Sequence, residues 1–175
     1  MDKTDEIRRI NLEISVKLSR IEMQLYQAKS MTGLFETLIA GIEKEFAVPF
    51  VWFTLIENAD AAPIIEAAKS SDLLKNKLNV ISRGLFERLI PAGVQPVLVN
   101  RELHPYYKLF PPAHKYFVKS LALIPFRIGD EIAGSWNNGD AIPDRYRPDM
   151  DTALLQKLAQ KLSLQLTKLV ADLKK

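Results

Sequence analysis

The sequence predicts an α+β domain: a central, mostly antiparallel sheet with helices on one side and a long N-terminal helix. Three observations predict it. Residues 119–169 read as an apolar strand, a Gly-Asp turn, a second strand, a polar loop and a long amphipathic helix, an order that closes a sheet and packs a helix on it. Residues 49–57, PFVWFTLIE, are a β-branched and aromatic run of the kind found in a strand buried on both faces. Both ends of the chain carry apolar stripes with the same helical spacing.

The first helix is expected over residues 4–29, where Ile7, Ile10, Ile14, Leu18, Ile21 and Leu25 are spaced 3, 4, 4, 3, 4. The 3, 4, 4 unit is an eleven-residue repeat, about 3.67 residues per turn, which keeps the stripe nearly straight. Thr4 is the candidate N-cap, and Asp5 and Glu6 suit the positive end of the helix dipole. A second helix is expected from Thr32 to Phe46, capped by Ser30 or Thr32. After the strand at 49–57 come a turn at Asn58–Pro63 and a short return strand at Ile64–Ala67. Asp72–Leu78 reads as a helical turn before the apolar pair Val80-Ile81. Ser82 caps a helix through Ile90, which Pro91 and Gly93 end. Pro96–Asn100 is a further strand.

Residues 101–117, RELHPYYKLFPPAHKYF, hold both histidines and three prolines, so an irregular loop with short helical turns is expected. Val118–Arg127 is a strand, and Gly129-Asp130 is a hairpin turn into the next one. The last helix is expected from Asp149 to Asp172, with Pro148 fitting its first turn. Its stripe is Leu155, Leu158, Leu162, Leu166, Leu169 and Leu173. Residues 1–29 thus read as an N-terminal dimerisation helix, and 30–175 as a domain ending in a long C-terminal helix. Two stripes of six large aliphatics need more cover than a thin sheet supplies, so a homodimer is expected through Ile7, Ile10, Ile14, Leu18, Ile21, Leu25, Leu162, Leu166 and Leu169.

Composition narrows the chemistry. At 175 residues, 47% hydrophobic and 26% charged, the chain fits one domain with a helical extension. It has no cysteine, which excludes disulfides, thiolate nucleophiles, Cys-ligated metals and thioether-linked chromophores. No apolar run reaches the roughly 18 residues of a membrane span, and MDKTDEIRRI lacks a signal-peptide core, so a cytoplasmic protein is expected. Net charge is +3 without a Lys/Arg run, so neither nucleic acid nor membrane is expected as a partner. His104 and His114 stand ten residues apart with only Glu102 nearby, a weak basis for a metal site. No glycine-rich phosphate loop exists, so no cofactor, metal or catalytic residue is assigned.

Candidate ligand contacts come from the loop at 101–117 and the strands beside it. Tyr106, Tyr107 and Tyr116 offer apolar bodies with polar tips next to Arg101, His104 and His114, a combination that suits a small pocket. Phe53 and Phe86 read as core or as pocket wall, and Arg127 as a strand-end charge or a ligand contact.

The residues Ser120–Pro125, Ile132–Trp136 and the run Arg145, Tyr146, Pro148, Met150 and Thr152 resemble the ending of the bacterial domain-of-unknown-function 484 family, a GAF-like group. The general helix and strand order over roughly residues 30–172 is similar to that of GAF-type sensor domains. Gly134–Asn138 departs from the family's usual apolar run. The resemblance implies a non-catalytic module that binds a small molecule and signals through paired terminal helices. Its alternative is a protein–protein interaction and dimerisation module without a ligand pocket. Asn76-Lys77 and Phe126 with Asp130-Glu131 formally match a cyclic-nucleotide signature of GAF domains. Phe126 and Gly129-Asp130 belong to a strand and its turn, which is the wrong place for that signature.

Overall fold

The computed structural model describes residues 2–58, 60–91, 93, 95–111 and 117–174. Two helices come first, α1 (Lys3–Gln27) and α2 (Met31–Phe46). Strand β1 (Phe50–Ile56), helix α3 (Ala62–Lys69), strand β2 (Leu78–Ile81) and helix α4 (Arg83–Leu89) follow. Strand β3 (Val97–Val99) leads to a 3₁₀ segment at His104–Leu109. The hairpin of β4 (Ser120–Ile128) and β5 (Glu131–Asp140) and the helix α5 (Ala153–Leu173) complete the chain. The sheet order is β2-β1-β5-β4-β3, with β1 and β2 parallel and every other pair antiparallel. The expected α+β class and mostly antiparallel sheet are therefore observed.

Strand alternation divides the core into two layers. Val51, Phe53 and Leu55 of β1 and Ala122, Ile124 and Phe126 of β4 face a cluster built with α1, α2 and α5. Trp52, Ile56, Leu121 and Leu123 face the other way and meet Phe86 and Ile90 from the α4 region and Leu109 and Phe110 from the 3₁₀ segment. Both faces are covered, so the expectation of helices on one side is corrected.

Other boundaries differ for local reasons. Ile64–Ala67 lies in α3, not a strand. Pro63 occupies the first turn and alanines surround the two isoleucines, while Ile64 and Ala68 lie four apart on its buried side. Asn58 Oδ1 accepts from Ala61 N at 2.9 Å and steadies the approach to that helix. Asp2, not Thr4, caps α1, its carboxylate accepting from Thr4 N at 3.2 Å. Helix α5 begins at Ala153 and leaves Pro148 outside, and Asp151 Oδ1 accepts from Ala153 N at 2.9 Å. Ser30 and Ser82 cap α2 and α4 as expected.

The unusually polar run Gly134–Asn138 lies within a strand, as expected. β5 continues through Asn137, Asn138 and Gly139 to Asp140 and is the middle strand of the sheet. Its partners are β1, with Asn137 opposite Trp52, and β4, with Asn138 opposite Ala122. Among the described residues no helix is long and apolar enough to cross a membrane.

Candidate functional site

A buried polar cluster on the middle strand decides the fate of the loop at 101–117. The Leu109 carbonyl accepts from Trp52 Nε1 at 2.7 Å and from Thr54 Oγ1 at 3.2 Å. The Asn137 amide is assigned with its oxygen toward the donors Trp52 Nε1 (3.0 Å) and Thr54 Oγ1 (2.9 Å), so the indole N–H and the single Thr54 hydroxyl proton are each shared between this oxygen and the Leu109 carbonyl. Its nitrogen then donates to Ser135 Oγ at 2.7 Å and to the Trp136 carbonyl at 3.3 Å. Asn79 Nδ2 adds a bond to the Lys108 carbonyl at 2.7 Å. Leu109 and Phe110 are buried, and Phe110 meets Trp52 edge to face at 5.0 Å. Residues 103–110 are thus a packed strap across the sheet.

The seven of the nine expected ligand residues that are described lie on different faces of the sheet. Phe53 lies on the α1–α2–α5 side, its ring 4.5 Å from Phe35. Phe86 is buried on the opposite side. Arg101 and His104 are exposed, with the His104 ring 5.4 Å from Tyr107. Tyr106 and Tyr107 are half-buried against the Phe86 cluster. Arg127 sits where β4 meets α5, its backbone N–H donating to Ser163 Oγ at 2.9 Å. His114 and Tyr116 lie outside the described residues. No group of three or more His, Cys, Asp or Glu is placed to hold a metal among the described residues.

A cavity of about 490 Å³ lies on the other face of the sheet. Its walls are Ile14 and Leu18 of α1, Ile42 and Phe46 of α2, and Leu154 and Leu155 of α5. Its polar groups come from Asn11, Ser15, Asn138, Arg145, Tyr146 and Asp151. Asn138, Arg145 and Tyr146 are held from behind. Asn138 Oδ1 accepts from Trp136 Nε1 at 2.6 Å. Arg145 Nη1 meets the buried Asp140 carboxylate at 3.1 Å, and Nη2 donates to the Phe46 carbonyl at 2.6 Å. The Asp140 carboxylate also accepts from Ile142 N at 3.0 Å, which closes the turn after β5.

Tyr146 hydrogen-bonds with Asn138 and Arg145. Burial pushes its phenol up to about 12, against the opposing pull of the Arg145 charge and of those hydrogen bonds. Near neutral pH Tyr146 is therefore a neutral hydroxyl. An apolar chamber with a few fixed polar groups is what a small-molecule site requires.

Asn138 and Tyr146 are absent from the sequence-derived ligand set. Their signals were present: a polar residue inside an otherwise buried strand, and an aromatic in the Arg-Tyr-x-Pro run before the last helix. The expected dimer residues are also placed. Leu18, Ile21, Leu25, Leu162 and Leu166 are buried within the single chain, and Ile14 and Leu169 pack against the same core. Ile7 and Ile10 are 53% and 42% exposed.

No protein-family model matches the chain, and no curated protein is similar to it. Solved structures are similar in fold. One is the far-red absorbing dark state of JSC1_58120g3 with bound biliverdin IXa, at 14% identity and a TM-score of 0.58, covering 87% of this chain and 98% of that one. Another is the GAF domain of an Acinetobacter phosphoenolpyruvate-protein phosphotransferase, at 13% identity and a TM-score of 0.56, covering 91% of this chain and 96% of that one. The chain has a GAF-like fold.

Proposed function

We propose that this chain is a non-catalytic, GAF-like regulatory module that senses a small molecule in the cavity between its sheet and terminal helices. The carrying observation is that cavity, about 490 Å³, walled by α1, α2 and α5 and floored by Asn138 and Tyr146. A ligand of mainly apolar body with one hydrogen-bonding group fits this lining. Its arrival would press on Ile14 and Leu18, and so on the angle between α1 and the domain. The exposed half of α1, with Ile7 and Ile10, would pair with the same segment of a second copy. The order Arg145, Tyr146, Pro148, Met150 and Thr152 supports a narrower placement near the domain-of-unknown-function 484 group, on those residues alone.

The alternative, an interaction module without a pocket, is favoured by one observation: Phe86, Leu109 and Phe110 fill the space under the strap. Dye binding separates the two readings. Anilinonaphthalenesulfonate should bind saturably, one per chain, and Leu154→Trp, which puts bulk into the cavity, should abolish that binding while the fold persists. Saturable binding untouched by Leu154→Trp, or no saturable binding, would remove the cavity from the account.

A further inference from the structure

A second groove runs where the end of β4 meets α5, with a volume of about 750 Å³. Gln156 to Ala171 border it along α5, which at 1.5 Å per residue is roughly 22 Å. Strand β3 pairs with β4 only as far as Leu123, so the rest of that β4 edge lacks a neighbouring strand. The edge is nonetheless closed to strand addition. Pro125 has no N–H to offer. Arg127 N donates to Ser163 Oγ at 2.9 Å and Gly129 N to Thr167 Oγ1 at 2.9 Å. The i, i+4 hydroxyls of the helix match the i, i+2 donors of the strand. A partner must therefore dock through side chains, as a helix lying in a groove does.

The charge of the groove names that partner. Its lining holds two cations, Arg127 and Lys168, and no carboxylate. Lys157 and Lys161 add charge to α5, and residues 153–171 contain no Asp or Glu. Arg127 Nε is buried without a hydrogen-bond partner among the described residues. With Nε shut off from solvent, what the groove offers a partner is the rest of the Arg127 guanidinium, where a carboxylate can meet the Nη groups. Beside it Leu164 is 67% exposed, a large apolar group at the lip of the groove.

We propose that the β4–α5 groove docks an amphipathic helix of a partner protein, with a Glu or Asp side chain meeting Arg127, apolar residues covering Leu164, and further carboxylates facing the α5 lysines. This surface lies apart from the cavity under "Proposed function" and stands independently of it.

The test uses the full chain and a fluorescein-labelled amphipathic helix of about sixteen residues, enough to span the groove. Leu repeats at helical spacing along it with Glu on both flanks, and fluorescence anisotropy reads binding. The expected Kd is about 100 µM or tighter. Arg127→Ala, and independently Leu164→Glu, should each weaken it about tenfold or more. Leu164 is exposed, so its variant keeps the fold even if the Arg127 variant does not. A peptide with Gln for every Glu should lose affinity to the same degree. No saturable binding at about 1 mM peptide overturns the proposal. So does binding indifferent to both variants, or equal affinity for the Gln peptide. Vesicles of phosphatidylserine and phosphatidylcholine that bind more tightly than the peptide, with the same dependence on both variants, would assign the groove to a lipid surface instead.

Discussion

Gly134→Ala is expected to cost about 3 kcal/mol of stability or more. Gly134 lies in the middle strand, opposite Leu55 of β1 and Phe126 of β4. A Cβ added there would lie 2.1 Å from the Thr54 carbonyl oxygen and 3.1 Å from Leu55 Cα. Carbon and oxygen in contact sit about 3.3 Å apart, so the strands must open by roughly 1.2 Å. The obstacle is backbone, which cannot rotate aside as a side chain does. β1 also carries the fully buried Trp52, Leu55 and Ile56, which hold it from both faces. Ordinary over-packing against side chains costs about 1–3 kcal/mol, and this case belongs at or above the top of that range. For a chain of this size the melting temperature should fall by about 6–12 °C. Urea unfolding followed by circular dichroism, with thermal melts alongside, measures both. Gly84→Ala is the control: nothing lies within 4 Å of its added Cβ in α4, and about 0.5 kcal/mol of stabilisation is expected. A loss below about 1 kcal/mol for Gly134→Ala would refute the close approach of β5 to β1 and the register built on it.

Tyr146 predicts an alkaline limit to stability. Its folded pKa of about 12 exceeds the usual 10, so the folded state holds a proton that the unfolded chain releases. Its contribution is complete below about pH 10 and is lost as pH rises through about 12; urea midpoints of Tyr146→Phe should lack that part of the decline, and parallel curves would count against the buried phenol. Ile7→Glu with Ile10→Glu should give monomers by sedimentation at tens of micromolar, where the wild type pairs if its Kd is about 1 µM. Both side chains are exposed, so melting should barely change, whereas Ile21→Glu, at a site without exposure, should unfold the domain. A wild-type monomer at that concentration would end the dimer reading.

Elements carrying their own local signals were legible. Ser82 before an apolar turn, the β-branched run at 50–56 and Gly129 between two strands each report on residues a few positions away. Misreadings arose where neighbours in space override composition. Ile64-Ile65 suggested a strand, but Pro63 and the alanines around them favour the helix that buries Ile64. Gly134–Asn138 stood out only as an unusually polar run in the second strand, and what makes a polar strand centre tolerable, Trp52, Trp136 and Thr54, is supplied by pairing that composition does not show. The prolines in 101–117 announced an irregular segment with short helical turns, but the packing of residues 103–110 was not legible, because the Leu109 carbonyl that anchors them carries no side-chain signature at all. The cavity was illegible for a further reason: it is a gap between three helices, and a gap has no residue of its own.

The two faces of the sheet therefore hold polar groups for opposite uses. Beneath the strap, Trp52, Thr54, Ser135 and Asn137 are bonded to one another or to Leu109. Lifting the strap would break the two bonds that the Leu109 carbonyl accepts and expose the buried Leu109 and Phe110, which makes it a poor lid. On the other face Asn138 and Tyr146 border empty volume, so a ligand there need not break the sheet. Under the proposed reading, the wall it would press on would also be the means of transmission. Helix α1 contains neither Gly nor Pro, and Leu18, Ile21 and Leu25 fix its second half in the core. Ile7 lies eleven residues before Leu18, about 16 Å along the axis, on the same stripe but beyond the domain's edge. A small change of tilt at Ile14 and Leu18 is thereby enlarged at the segment where a second copy would pair. Under the proposed reading, sensing would work through the face that the terminal helices cover, while the strap would hold the opposite face still.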